Sequence, residues 1–314
     1  MSIRSAILAA LLAAMALSGC TVGAGESDPE GATLTVTRDF GRGALLEARA
    51  DTVPEAETVM RLLRRNAEVD TRYGGRFVNA IEGLRSGSDD GRRRDWFYYV
   101  NGIEAGTGAA EQEVAGGDHV WWDYRDWNVA MRVPAVVGSF PEPFLHGAEG
   151  KRFPVRIDCA PEAASQCQDV SERLERAGVP ASIAALGSQA GEEVLRLVVG
   201  RWEDARRDNA SREIEDGPQE TGVFARVRGR DEGHVIEVLD AGGGVKEVLG
   251  AGSGIVAATR FGEQQPTWTV SGTDEAGLDR AVRLIDARTL RNRYAVATGA
   301  DGTLALPARE ESAR

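Results

Sequence analysis

The apolar positions first recur with a period of two. Leu34 and Val36 precede a turn-forming run, Asp39-Phe40-Gly41-Arg42-Gly43, and Leu45, Leu46 and Ala48 follow it, which predicts a hairpin. The period then lengthens. Thr52-Val53-Pro54-Glu55 offers the proline and acid that suit a first helical turn, and Ala56, Val59, Met60 and Leu63 share one helical face, so a helix is expected to end by Asn66. Phe77–Ile81 returns to a strand, and a polar loop covers Arg85–Asp95. Trp96-Phe97-Tyr98-Tyr99-Val100 is an aromatic strand running into Asn101-Gly102, a pair that tolerates the positive φ angles of a tight hairpin turn. After a turn at Val114–Asp118, the strand His119–Asp126 sends Val120, Trp122 and Tyr124 to one face and His119, Trp121, Asp123 and Arg125 to the other.

The second half follows a different pattern. Residues 131–150, with Pro134, Pro141 and Pro143, read as a hinge-like linker. Strands are predicted at Val155–Ile157, Ser182–Ala184 and Val194–Val199, and helices over Val170–Ala177, stopped by Gly178, and Trp202–Ile214. A more antiparallel portion follows at Phe224–Val227, His234–Leu239 and Ile255–Thr259, and Thr267–Val270 then leads into a helix carrying Leu278, Val282 and Ile285. Residues 151–302 therefore read as an α/β domain with a mixed sheet, and 303–314 as a disordered tail. Gly250-Ala251-Gly252-Ser253-Gly254 precedes a strand rather than a helix, so it reads as a turn and not as a phosphate loop. Asp274 and Glu275 at the start of the last helix complement its dipole and repel an anion.

The N-terminus adds a targeting signal. Arg4 precedes an apolar run from Ile7 to Leu17, which is too short for the roughly 20 residues of a spanning helix but has the length of a signal-peptide core. Leu17-Ser18-Gly19-Cys20 resembles the lipobox of bacterial lipoproteins. That resemblance implies removal of residues 1–19, a lipidated Cys20, and a membrane anchor facing the extracytoplasmic side. Residues 20–31 are small and polar and read as a tether. With Cys20 lipidated, Cys159 and Cys167 remain as a pair in an oxidising compartment, where a disulfide is expected.

Charge and motif spacing exclude several functions. The 37 basic and 49 acidic residues leave a net charge of −12, which argues against nucleic acid and against broad adhesion to anionic lipid. His119, His146 and His234 are far apart in sequence, and no metal-ligand spacing or calcium loop is present. The chain therefore reads as a non-enzyme, with no catalytic residue, metal or cofactor assigned.

The motifs of the first half also carry a family likeness. Val-Met-Arg-Leu-Leu closing the helix, Gly-Arg-Phe-Val-Asn-Ala-Ile-Glu-Gly, Trp-Phe-Tyr-Tyr-Val-Asn-Gly and Gly-Asp-His-Val-Trp-Trp-Asp-Tyr resemble the transcobalamin-like C-terminal domain over about residues 32–128. The resemblance implies a β-grasp-like fold over residues 32–130, making the whole an α+β protein with the mixed-sheet α/β domain second. In transcobalamin this domain closes over a corrinoid held mainly by a helical partner domain, which this chain lacks.

One helix cannot bury both faces of an aromatic sheet, so one face is expected to present exposed aromatic surface to a ligand. The expected contacts are Trp96, Tyr98, Asn101, Trp121, Trp122 and Tyr124. The leading expectation is a lipid-anchored protein that captures a small molecule, with corrinoid-like compounds as candidates, and presents it to a membrane permease. The alternative is an envelope protein that binds polysaccharide or a protein partner.

Overall fold

The computed structural model describes residues 30–309 apart from Asp90 and Glu232; Cys20, the lipobox and most of the tether lie outside the described residues. The fold is α+β, with an N-terminal sheet module followed by a second, mixed-sheet module. The first sheet comprises β1 (Ala32–Arg38), β2 (Gly43–Ala50), β6 (Gly87–Asp89), β7 (Arg92–Val100), β8 (Ile103–Glu104) and β9 (His119–Asp126), in the order β2-β1-β9-β7-β6, with β8 paired to β7. β1 runs antiparallel to β2 and parallel to β9, and β9 runs antiparallel to β7. Two hairpins joined through parallel central strands give a β-grasp-like arrangement. A smaller sheet of β3 (Val69–Arg72), β4 (Phe77–Ile81) and β5 (Leu84–Arg85) sits beside it.

Alternation decides what each face of the first sheet meets. Leu34, Val36, Trp96, Val120, Trp122 and Tyr124 form one core with Val59, Leu62 and Leu63 of the helix Val59–Asn66 and with Ile81 of β4. The helix begins later than the sequence suggests. Glu57 N bonds Pro54 O in a turn, Ala56 has φ 56°, and the Thr58 hydroxyl caps the helix by accepting from Arg61 N. A hydroxyl at the cap satisfies an otherwise orphan N–H, which a proline four residues upstream cannot do.

The second module is built on a seven-stranded sheet of β10 (Val155–Cys159), β11 (Ala181–Ala185), β12 (Leu195–Arg201), β16 (Gly254–Thr259), β17 (Thr267–Gly272), β18 (Ala295–Gly299) and β19 (Gly302–Leu306). Its order is β11-β10-β12-β17-β16-β18-β19, parallel from β11 to β17 and antiparallel thereafter. Val256 and Ala258 face the helices Ala164–Arg176 and Glu275–Arg283, whereas Ile255 and Ala257 face the opposite way. On that opposite side lie β13 (Ala225–Arg230), β14 (Gly233–Leu239) and β15 (Val245–Leu249), a three-stranded antiparallel sheet. The helix expected over Trp202–Ile214 is two short ones, Trp202–Ala205 and Asn209–Arg212, because Asp208 caps the second by accepting from Ala210 N and Ser211 N. β19 carries regular structure to Leu306, into the stretch expected as a tail. Cys159 and Cys167 form a disulfide, with Cα atoms 6.0 Å apart.

The modules share a core. Phe40, Tyr99 and Trp121 of the first pack with Trp202, Phe224 and Tyr294 of the second. Tyr294 OH donates to Asp123 Oδ2 at 2.9 Å, and Asp123 also accepts from the Thr37 hydroxyl and Gly41 N. The intervening segment is likewise packed rather than hinge-like: Val133 and Val136 enter this core, and Val137, Phe140 and Phe144 enter the helix-side core. Fully buried Arg125 holds it by donating to Ala130 O and Met131 O while its guanidinium lies 3.7 Å from the centroid of the Phe97 ring.

Candidate functional site

The residues expected to meet a ligand are largely covered. Trp96, Asn101, Trp121, Trp122 and Tyr124 are buried, and Tyr98 is half-buried. Their polar atoms are mostly engaged within the chain: Trp96 Nε1 donates to Leu84 O, Trp121 Nε1 to the Thr37 hydroxyl, Tyr98 OH to Thr107 O and Tyr124 OH to Arg85 O. Asn101, at φ 54° in the tight turn, donates to Asp118 and Gly147 O and accepts from His119 N. The expected exposed aromatic face is therefore absent at these positions, because the second module covers the side of the sheet that the helix leaves open. Period-two alternation identified the two faces correctly but carries no information about what lies across from each.

Where the two modules part, a groove of about 710 Å³ opens. Its walls are the polar positions of the same strands, Thr33 and Thr35 of β1, Glu47 and Arg49 of β2 and His119 of β9. Ser139 and Glu142 of the connecting segment and Arg288 and Arg291 of the second module also line it. These side chains alternate with Leu34 and Val36, which point into the core, so the groove is the continuation of the module interface beyond Thr37 and Trp121.

The charges in the groove are nearly balanced. Arg291 pairs with Glu47 at 2.5 Å. His119 Nε2 lies 3.0 Å from the Thr35 hydroxyl. Burial pushes the His119 pKa down to about 4, and the nearby Arg291 charge adds to the effect, so the ring is neutral at physiological pH. The Ser139 hydroxyl is buried without a hydrogen-bond partner among the described residues. Glu142 forms the edge of a chain of ionisable groups, with its Oε1 2.5 Å from His146 Nδ1, while His146 Nε2 lies 2.9 Å from Glu30. Burial raises the Glu142 pKa; burial alone would lower that of His146, but its carboxylate partners outweigh this and raise it.

Of these groups, His119 and His146 stand out in the sequence only as isolated histidines, His119 on a strand. Ser139, Arg288 and Arg291 carry no local motif; they meet His119 only because the modules dock. Among the described residues, no group of three His, Cys, Asp or Glu side chains is placed to hold a metal ion.

No curated protein matches the sequence. Among solved structures, one from Ruminococcus gnavus ATCC 29149, provisionally described as a metal binding protein, aligns at 17% identity with a TM-score of 0.24, over 31% of this chain and 97% of its own. Residues 56–126, from Ala56 to the end of β9, match the family described as a domain of unknown function (DUF4430), a transcobalamin-like domain; the β1–β2 hairpin that completes its sheet lies outside the match.

Proposed function

We propose that this chain is a lipid-anchored binding protein of the cell envelope that takes a small polar molecule into the groove between its modules. The observation that carries this reading is the groove itself. Its volume of about 710 Å³ lies within the roughly 300–1,000 Å³ common for small-molecule sites. Neutral His119, the Ser139 hydroxyl, which has no partner among the described residues, and the paired charges of Glu47 and Arg291 suit hydrogen bonding to an uncharged or zwitterionic ligand. The transcobalamin-like match makes corrinoids and their fragments the first ligand class to try, with a membrane permease as the receiving partner. The lipobox-like Leu17-Ser18-Gly19-Cys20 supplies the anchor in this reading.

Thermal denaturation of the full chain with cyanocobalamin and cobinamide tests the proposal. A ligand at about one hundred times its Kd stabilises the native state by about 2.7 kcal/mol. The expected result is a rise in melting temperature that Arg291→Ala and His119→Gln remove. No shift with either corrinoid would eliminate that ligand class, and a shift that both variants retain would eliminate the groove. The anchor has its own assay: labelled fatty acid should attach to the native protein but not to Cys20→Ser, which should leave the membrane fraction.

A further inference from the structure

Exposed aromatic side chains lie elsewhere on the first module, away from the strands of its main sheet. Tyr73 is 81% exposed and Phe77 39% exposed, with their rings 6.4 Å apart at 72°. They flank the β3–β4 turn, on the rim of a cleft of about 440 Å³. Trp127, just beyond β9, lies on the same cleft with the Arg93 guanidinium 4.0 Å from its ring centroid. This cleft is separate from the groove between the modules, with which it shares no lining residue.

Three features set this surface apart from incidental exposure. Tyr73 occupies φ 51°, a backbone region that disfavours bulky side chains, in a turn whose next two residues are the glycines that normally accept it. The large ring held there is mostly exposed and meets Phe77 edge to face. Next, Asn79 on the cleft wall is 1% exposed and its Oδ1 accepts no hydrogen bond from the described residues, although its Nδ2 donates to Asp70. Lastly, Arg72, Arg93 and Arg94 line the cleft against a single described carboxylate, Asp95, which already accepts from Ser86 Oγ and Trp96 N. Among the described lining residues the arginines thus outnumber the carboxylates.

We propose that this cleft binds an acidic polysaccharide. Exposed rings offer flat apolar platforms for the C–H faces of sugar rings, and guanidinium groups match carboxylates in a planar, bidentate fashion. Arginines that outnumber carboxylates among the described lining residues draw an anionic chain toward this cleft. The proposal does not depend on the groove: the anchored protein would hold the wall polymer with one face while the groove remains open.

The test measures binding of polygalacturonate to the full chain by isothermal titration calorimetry, with cellohexaose as the neutral control. Polygalacturonate should bind, more weakly as salt is raised, and more tightly than cellohexaose. Tyr73→Gly should weaken binding by at least about tenfold while leaving the melting temperature unchanged or raised, since glycine relieves the positive φ. Arg72→Gln should weaken it as well and flatten the salt dependence. The proposal is overturned if polygalacturonate does not bind, if cellohexaose binds equally well, or if both variants bind like the native chain. Loss of self-association in Tyr73→Gly, with no glycan binding, would overturn it in favour of an interface between copies of this chain.

Discussion

His119 shows how a single side chain changes meaning with its surroundings. In sequence it is one polar residue opening a strand; in the fold it bonds Thr35, lines the groove and is held neutral by burial. Its folded pKa of about 4 lies below the ordinary value of 6.5, so between these limits the unfolded chain binds more protons. Its contribution to stability is thus complete above pH 6.5 and is lost as pH falls toward 4, by at most about 3 kcal/mol. Glu142, Asp118 and His146 act in the opposite sense, because their raised pKa values let the folded state hold protons longer as pH rises. Comparing His119→Gln with the native chain isolates the first effect. The native protein should lose stability relative to the variant between pH 6.5 and 4 in urea titrations, and parallel curves would refute the assignment. Gly41 is constrained just as tightly, with φ 78° and a Cβ position 1.8 Å from Asn292 O, so Gly41→Ala should cost at least about 1–3 kcal/mol from backbone strain alone.

At the scale of elements, the disulfide joins the end of β10 to the first turn of the helix Ala164–Arg176, across a separation of 8 residues. Closing so short a loop removes about 2–3 kcal/mol of unfolded-state entropy by the chain-entropy relation. Reductant should therefore lower the melting temperature of the native chain but not that of the double variant Cys159→Ala/Cys167→Ala; equal sensitivity would show that the bond is not formed. This pairing was legible from the cysteine count and compartment. Most strands of the large sheet were legible too, because Leu195, Leu197 and Val199 and their neighbours form continuous apolar runs. β3 escaped notice because Val69 is its single apolar residue, and β5, β6 and β8 because they are too short to show a period. Helix starts were misplaced where a cap outranked a pattern: Thr58 instead of Pro54, and Asp208 interrupting Trp202–Ile214.

For the whole molecule, the shared core of Phe40, Tyr99, Trp121, Phe224 and Tyr294 predicts that both modules unfold together. Calorimetry should record one transition, and protease should spare residues 131–150; two transitions, or cleavage at that segment in the native state, would show independent modules. Tyr294→Phe should destabilise the protein by about 1–3 kcal/mol, since it removes a donor from a fully buried carboxylate. The amino-acid sequence by itself determined most of the longer local elements, the two faces of β9, the cysteine pair and the transcobalamin likeness within the first module. Each of these follows from periodicity, turn chemistry or motif order within short stretches of chain. Only the tertiary structure decided which faces are wet. Docking the modules dried the face bearing Trp121, opened the groove around His119, and left Tyr73 and Phe77 outside, since burial depends on residues brought together from distant parts of the chain.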